Sequence, residues 1–139
     1  MNIPTKLTPD AKLPKKAHDS DAGFDLFALD SVDIGRGVRG LIDTGVSMAI
    51  PDGYCGIIKE KSGLAWKHGI IIMGGVIDSS YRGNIKVIML NANQDTFSVK
   101  GGDKIAQLLI LPVPNFNVEE VDSLDDTIRG SGGFGSTGI

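Results

Sequence analysis

Apolar residues along this chain fall into short runs that are rich in β-branched side chains. The runs cover residues 24–27, 46–50, 54–58, 70–72, 85–90 and 105–111. Clusters of Gly, Pro, Asp and Asn stand between them, and these residues favour turns. Short strands separated by turns are typical of a sandwich or barrel. The pattern therefore predicts an all-β fold.

Two segments add detail to this picture. The one short helix that the sequence predicts starts near Ser62 and covers residues 63–67. The run at residues 105–111 is apolar almost throughout, which indicates a strand that is covered on both faces. Because the protein is small, we expect part of that cover to come from another subunit.

The length of 139 residues fits a single domain with its own core. Strand character is lost beyond about residue 122, and the chain ends in a glycine-rich stretch that starts at Arg129. We predict a β-domain over residues 1–122 and a flexible C-terminal arm over residues 123–139.

Charge and composition argue against several classes of protein. The net charge is −3 and charges of both signs are scattered along the chain, so no basic segment is available to attract the backbone of a long nucleic acid. No apolar run approaches the roughly 20 residues of a membrane span, and the N-terminus has no apolar signal region. Cys55 is the single cysteine, so no internal disulfide is expected. We expect a cytoplasmic protein (nuclear or in the host cytosol for a eukaryotic or viral source), not a secreted one.

The glycine-rich end of the chain is a candidate anion-binding site. Residues 130–137 read G-x-x-x-x-G-S-T, which is a phosphate loop without its lysine, and no helix can follow it. Consecutive glycines let backbone N–H groups converge on an anion, and Arg129 adds a bidentate cation. Phe134 is a lone aromatic residue that can stack on a base. Composition alone favours the alternative, a disordered tail.

Two internal segments carry candidate phosphate or metal chemistry. Asp19, Asp21 and Asp25 lie within seven residues, where they either orient the waters of a Mg²⁺ ion or form a solvated turn. Lys61 and Ser62 open the short helix. Free N–H groups at a helix start suit a phosphate, although Ser62 is equally consistent with a simple N-cap.

A third segment, residues 74–83, carries a candidate general base. Its two glycines, Gly74 and Gly75, permit a tight hairpin whose backbone approaches a ligand closely. Asp78 follows an apolar pair, so partial shielding would suit it to act as a base. An ordinary hairpin with a surface aspartate is the alternative on this segment alone.

In order, five segments of the chain resemble the five motifs of the homotrimeric dUTP pyrophosphatases (dUTPases). They are residues 22–26, 61–64, 75–83, 102–108 and 129–138. Each is weak alone, but their order and spacing are specific. The resemblance implies a distorted jelly-roll or β-clip barrel of short strands with one short helix. It also implies a homotrimer that exchanges its C-terminal arms and has active sites at subunit interfaces.

The resemblance implies Mg²⁺-dependent hydrolysis of dUTP to dUMP and pyrophosphate by water attack on the α-phosphorus. This reaction keeps uracil out of DNA and supplies dUMP for dTMP synthesis. By this resemblance Asp78 activates the water, and Asp25 holds Mg²⁺ through a metal-bound water.

The resemblance also implies the residues that hold the substrate. Those on the α- and β-phosphates are Lys61, Ser62, Gly63 and Gln107. The nucleoside residues are Gly75, Val76 and Ile77 on uracil, Tyr81 under the deoxyribose, where it excludes a 2′-hydroxyl, and Lys86 nearby. In the arm they are Arg129, Gly135, Ser136 and Thr137, chiefly on the γ-phosphate, with Phe134 over the base. Lys61 departs from the usual Arg of the second motif, which keeps the charge and loses the bidentate fork.

Two other functions share this fold. A dCTP deaminase carries a glutamate in the strand after the third motif, whereas residues 85–91 contain no carboxylate. A regulatory protein that uses a nucleotide as a switch need not keep Asp25, Asp78 and the arm together. All three are present, which favours hydrolysis.

Overall fold

Eleven strands and one helix make up the computed structural model, which describes residues 2–136. The strands are β1 (Thr5–Leu7), β2 (Phe24–Phe27), β3 (Val32–Ile34), β4 (Arg39–Asp43), β5 (Val46–Met48), β6 (Tyr54–Lys59), β7 (Ile70–Met73), β8 (Val76–Ile77), β9 (Lys86–Asn91), β10 (Phe97–Val99) and β11 (Lys104–Pro112); the helix is α1 (Ser62–His68). The six strands expected from apolar runs are confirmed, as is the helix. Strands β1, β3, β4, β8 and β10 were not predicted, because each is short or interrupted by polar residues.

The strands of residues 2–136 pair into four antiparallel sheets. Their orders are β1-β5, β10-β3, β2-β11-β6-β8 and β4-β9-β7. In β9, Val87, Met89 and Asn91 are buried while Lys86 and Ile88 are exposed. This alternation is the period of two that a half-covered strand requires.

A single apolar cluster receives side chains from all four sheets. Its fully covered members include Leu26, Ile34, Val46, Ile58, Ile70, Val87, Met89, Val99, Ile105 and Leu108. Because every sheet contributes to the same core, the four small sheets are held together as one packed body.

Strand β11 lies at the centre of the largest sheet, between β2 and β6. Gln107 is the register partner of Asp25 on one side and of Lys59 on the other. Ile105, Ala106 and Leu108 of β11 are buried within the chain, whereas Leu111 is 42% exposed. The chain itself therefore covers the part of this strand that lies nearest the charged residues.

Helix α1 is a short surface element. Lys61 is its N-cap residue, without a side-chain capping bond, and no helical residue is buried. The simple N-cap interpretation of Ser62 is therefore wrong, because Ser62 is the first helical residue. The helix ends at His68 and is capped by Gly69, whose φ of 60° is left-handed and whose N–H donates to the Ala65 carbonyl at 3.1 Å.

The glycine pair Gly74–Gly75 carries the chain from one sheet to another. Strand β7 pairs with β9, while β8 pairs with β6. The hairpin predicted at this pair is therefore wrong: two apolar runs around two glycines look like hairpin arms, but each adds to the edge of a different sheet. Gly75 has a φ of 102°, and its carbonyl accepts the Ile58 N–H at 2.8 Å.

Residues 113–136 follow the last strand and contain neither helix nor strand. All are exposed except Gly132 and Gly133, which are half-buried. The last strand ends at Pro112, and the division of the chain at residue 122 into a β-domain and an arm stays a prediction. Among the described residues, no helix has the length and apolarity needed to cross a membrane.

Candidate functional site

Asp25 on β2 forms the centre of a charged cluster. It is 5% exposed, and each of its carboxylate oxygens meets a lysine ammonium. Lys104 Nζ lies 2.8 Å from Oδ2, and Lys61 Nζ contacts Oδ1. Burial by itself would raise the pKa of Asp25, but the hydrogen bonds from Lys104 and Lys61 outweigh it and hold that pKa below its ordinary value. Asp25 is therefore ionised at neutral pH.

The residues expected on the α- and β-phosphates come together beside this cluster. They share one cavity of ≈ 380 Å³, lined by Lys61, Ser62, Gly63, Leu64, Lys67, His68, Lys104 and Gln107. Lys104 was missed by sequence reasoning, although it lies inside the fourth motif. The sequence around Lys104 does not indicate a role in the site, because its partner Asp25 lies on another strand.

Gln107 is fixed on the wall of this cavity. Its Nε2 donates to the Glu60 carbonyl at 2.8 Å. A Cβ added at Gly23 would lie 2.8 Å from Gln107 Oε1, so a larger residue at Gly23 would push the amide aside. Gly23 thus makes room for a side chain that was predicted to contact phosphate.

A second cavity, of ≈ 250 Å³, gathers the residues expected around the nucleoside except Gly75. Its lining is Leu41, Val76, Ile77, Asp78, Tyr81, Asn84, Lys86 and Ile88. The Tyr81 hydroxyl donates to the Asn84 carbonyl at 2.9 Å, and a Cβ at Gly83 would collide with that hydroxyl. Gly83 therefore lets the Tyr81 ring fold over the turn.

Asp78 stands on a turn that the chain itself braces. The Tyr81 N–H donates to the Asp78 carbonyl at 3.1 Å. Arg82 Nη1 donates to the carbonyls of Ser79 at 2.5 Å and Tyr81 at 2.9 Å. Asp78 is exposed, and Val76 before it is 66% exposed. The expected shielding of Asp78 by its apolar neighbours is therefore wrong for the single chain.

The arm residues Arg129, Phe134, Gly135 and Ser136 line neither of these cavities. Arg129 Nε donates to the Gly132 carbonyl at 2.9 Å, and Phe134 is fully exposed. Thr137 lies outside the described residues. One chain therefore gathers the phosphate residues in one cavity and most of the nucleoside residues in another, and the described arm residues line neither.

The three early aspartates do not form a carboxylate site. Asp21 Oδ2 lies 3.5 Å from His18 Nδ1, and the His18 backbone N–H lowers the pKa of Asp21. Within residues 2–136, no group of three or more His, Cys, Asp or Glu residues is placed to hold a metal ion. Of the two alternatives left open for these aspartates, a joint carboxylate site for magnesium therefore has no support, while Asp25 pairs with Lys61 and Lys104.

The chain matches a family model described as dUTPase over residues 9–138. It is 44% identical over 140 residues to the deoxyuridine 5′-triphosphate nucleotidohydrolase of Cutibacterium acnes, with 99% of this chain and 91% of that protein covered. The protein of the same name from Arabidopsis thaliana is 48% identical over 135 residues, with 96% and 81% covered.

Solved structures agree with these relatives. The dUTPase of Staphylococcus bacteriophage 80alpha with dUPNHPP matches with a TM-score of 0.93 and 27% identity, over 99% of both chains. A mutant dUTPase from phage phi11 of S. aureus, described for its coordination of a structural Mg(II) ion, matches with a TM-score of 0.83 and 27% identity over 88% of this chain and 98% of that one. The predicted jelly-roll or β-clip fold is confirmed.

Proposed function

This chain belongs to the dUTPase family, and we propose that it hydrolyses dUTP to dUMP and pyrophosphate. The observation that carries the proposal is the cavity in which Asp78 lies beside Ile77, Tyr81 and Lys86. A base and a nucleoside pocket share one wall there. The dCTP deaminase alternative has no such support, because β9 carries no carboxylate to shuttle a proton.

Asp78 is the proposed general base. Its exposed carboxylate takes a proton from water as the water oxygen attacks the α-phosphorus. The new bond to phosphorus forms while the bond from that phosphorus to the α,β-bridging oxygen breaks, and pyrophosphate leaves. The brace of Arg82 on Ser79 and Tyr81 keeps the turn that carries Asp78 in place.

The charges of the triphosphate are proposed to be met in the ≈ 380 Å³ cavity. Lys61, Ser62, Gly63 and Gln107 are proposed to hold the α- and β-phosphates, where a cation and hydrogen-bond donors offset negative charge. Gly75, Val76 and Ile77 offer backbone to uracil, and Tyr81 lies under the sugar. The largest share of such catalysis comes from positioned charge.

Asp25 is proposed to hold Mg²⁺ through a metal-bound water. A carboxylate oxygen has two acceptor sites, so each oxygen of Asp25 can accept a hydrogen bond from a water molecule without releasing its lysine. A direct bond would place the cation against the ammonium groups of Lys61 and Lys104. When bound, Mg²⁺ would neutralise negative charge on the phosphate oxygens of the substrate.

The working form is proposed to be a cytoplasmic homotrimer with active sites at subunit interfaces. Apolar side chains stand exposed at the end of β11 and just after it, including Leu111 and Phe116. Asp78 gains the water-excluding surroundings of a general base only if another chain covers it. Arg129, Phe134, Gly135, Ser136 and Thr137 are then proposed to reach the substrate of a neighbouring site.

Replacement of the base tests the proposal. Asp78→Asn keeps the size of the side chain and removes its ability to take a proton, so kcat for dUTP should fall about 10²- to 10⁴-fold. Calorimetry should show that dUpNHpp, the imido analogue of dUTP, still binds. Asp33→Asn, which changes an exposed aspartate on β3, is the matched control. Near-normal turnover by Asp78→Asn would contradict the role of Asp78 as base.

A further inference from the structure

Three strands bring a carboxylate and two ammonium groups to one place. Strand β11 lies between β2 and β6. It starts at Lys104, β2 carries Asp25, and Lys61 follows the end of β6 by two residues. Lys104 reaches Asp25 from the central strand and Lys61 reaches it from the end of β6, and each lysine contacts a different carboxylate oxygen.

The cluster presents positive charge to solvent. One carboxylate and two ammonium groups sum to one net positive charge. The side chain of Asp25 is 7% exposed, while those of Lys61 and Lys104 are 32% and 45% exposed. An approaching anion therefore meets the ammonium groups before it meets the carboxylate.

Each ammonium group retains hydrogen-bond donors. A lysine ammonium has three N–H donors, and each lysine uses one of them on Asp25. Lysine is otherwise a flexible point charge that loses side-chain freedom when a ligand fixes it. Because contact with Asp25 already restricts the two lysine side chains, part of this loss of conformational entropy occurs before the ligand binds.

The remaining N–H donors of the two lysines lie at a cavity whose other groups also suit phosphate. Lys61 and Lys104 line the ≈ 380 Å³ cavity together with Ser62, Gly63 and Gln107. Hydroxyl, backbone N–H and amide groups with two cations form a donor set that suits phosphate oxygens. Lys67 also lines this cavity, but among the described residues only Lys61 and Lys104 form ion pairs with Asp25, so Lys104 adds the second positioned charge.

We propose that Asp25, Lys61 and Lys104 form one phosphate-binding unit. Lys104 is a further substrate-binding residue on the α- or β-phosphate, and Asp25 is a positioning residue that holds both lysines toward it. This inference rests on the proposed hydrolysis of dUTP and adds to it a residue and a role. Asp25 then serves phosphate binding even when no metal is bound.

The role of Lys104 is tested by Lys104→Met, which keeps the length of the side chain and removes its charge. Affinity for dUpNHpp should fall about 10- to 100-fold, while affinity for deoxyuridine, which has no phosphate, stays unchanged. Lys104→Arg should recover most of the loss. Lys100→Met removes an exposed lysine four positions earlier and is the matched control. Unchanged dUpNHpp affinity in Lys104→Met would overturn the proposal, as would an equal loss for deoxyuridine.

The role of Asp25 is tested by Asp25→Asn in EDTA, where no magnesium is present. If Asp25 positions the lysines, dUpNHpp binding in EDTA weakens, and a Lys104→Met background reduces the effect because the two residues act together. A loss that appears only with magnesium would overturn the positioning role. Thermal unfolding of each variant separates weakened binding from loss of the fold. Failure of the wild-type chain to hydrolyse dUTP would instead contradict the proposed function.

Discussion

At the scale of single residues, two glycines shape the site by leaving space for other side chains. The Gln107 amide occupies the volume that a side chain at Gly23 would need. The Tyr81 hydroxyl does the same at Gly83. Both glycines fall within motifs that are recognisable in the sequence. Only the structure shows why a larger residue would not fit at these two positions. The polar side chain that each glycine accommodates is the one that is proposed to face the ligand.

Gly83→Ala should weaken the discrimination between dUTP and UTP. The added methyl group must push the Tyr81 ring from its place, and Tyr81 is the proposed barrier to a 2′-hydroxyl. We expect the ratio of kcat/KM for the two nucleotides to fall about 10-fold or more, as for loss of one well-placed contact. Gly35→Ala is the matched control, because a Cβ there meets Val38 at an ordinary 3.6 Å. An unchanged ratio would mean that Tyr81 does not set this selectivity.

At the scale of elements, the sequence predicts strands better than their pairing. Apolar runs located six strands because burial in this fold demands apolar side chains. The hairpin predicted at the glycine pair before β8 is wrong, because β7 and β8 belong to different sheets. Which strands pair depends on residues far apart in the sequence, and a local pattern does not contain that information. The contact of Lys61 with Asp25 spans 36 positions. Such an ion pair is set by strand order, so sequence spacing did not reveal that Asp25 holds two lysines.

The arm is the element whose removal should separate activity from folding. Deletion of residues 129–139 removes no buried side chain of residues 129–136, so thermal unfolding should change little. We expect kcat/KM for dUTP to fall about 10²-fold or more, because proposed γ-phosphate contacts are lost. Glu119→Gln, an exposed change in the same extended segment, is the control. Full activity in the truncated chain would show that the arm has no part in the reaction.

At the scale of the whole molecule, one chain holds an incomplete site. The phosphate and nucleoside cavities are present, while Asp78 is exposed and the arm lies apart. The exposed apolar residues at the end of β11 and beyond it give a surface for association. These three observations are explained together if neighbouring chains complete each site.

Mixed oligomers should reveal whether the arm crosses between chains. Sedimentation equilibrium should give the mass of a trimer for the wild-type chain, and a monomer would contradict the proposed assembly. Asp78→Asn chains keep the arm, and chains without residues 129–139 keep Asp78. Unfolding and refolding the two variants together should restore measurable dUTP hydrolysis if the arm acts in a neighbour's site. No recovery from a confirmed mixed trimer would mean that each arm serves its own chain.

The exposed segment at residues 113–136 has a practical consequence. It adds nothing to the apolar cluster that unfolds on heating, so a thermal-shift screen reports on the β-domain alone. A protease that cuts near Arg129 would leave the apolar cluster and its melting temperature in place while removing the glycine-rich end of the arm. Thermal stability and the presence of an intact arm therefore need separate assays, because a preparation that melts sharply can still lack the arm and its activity.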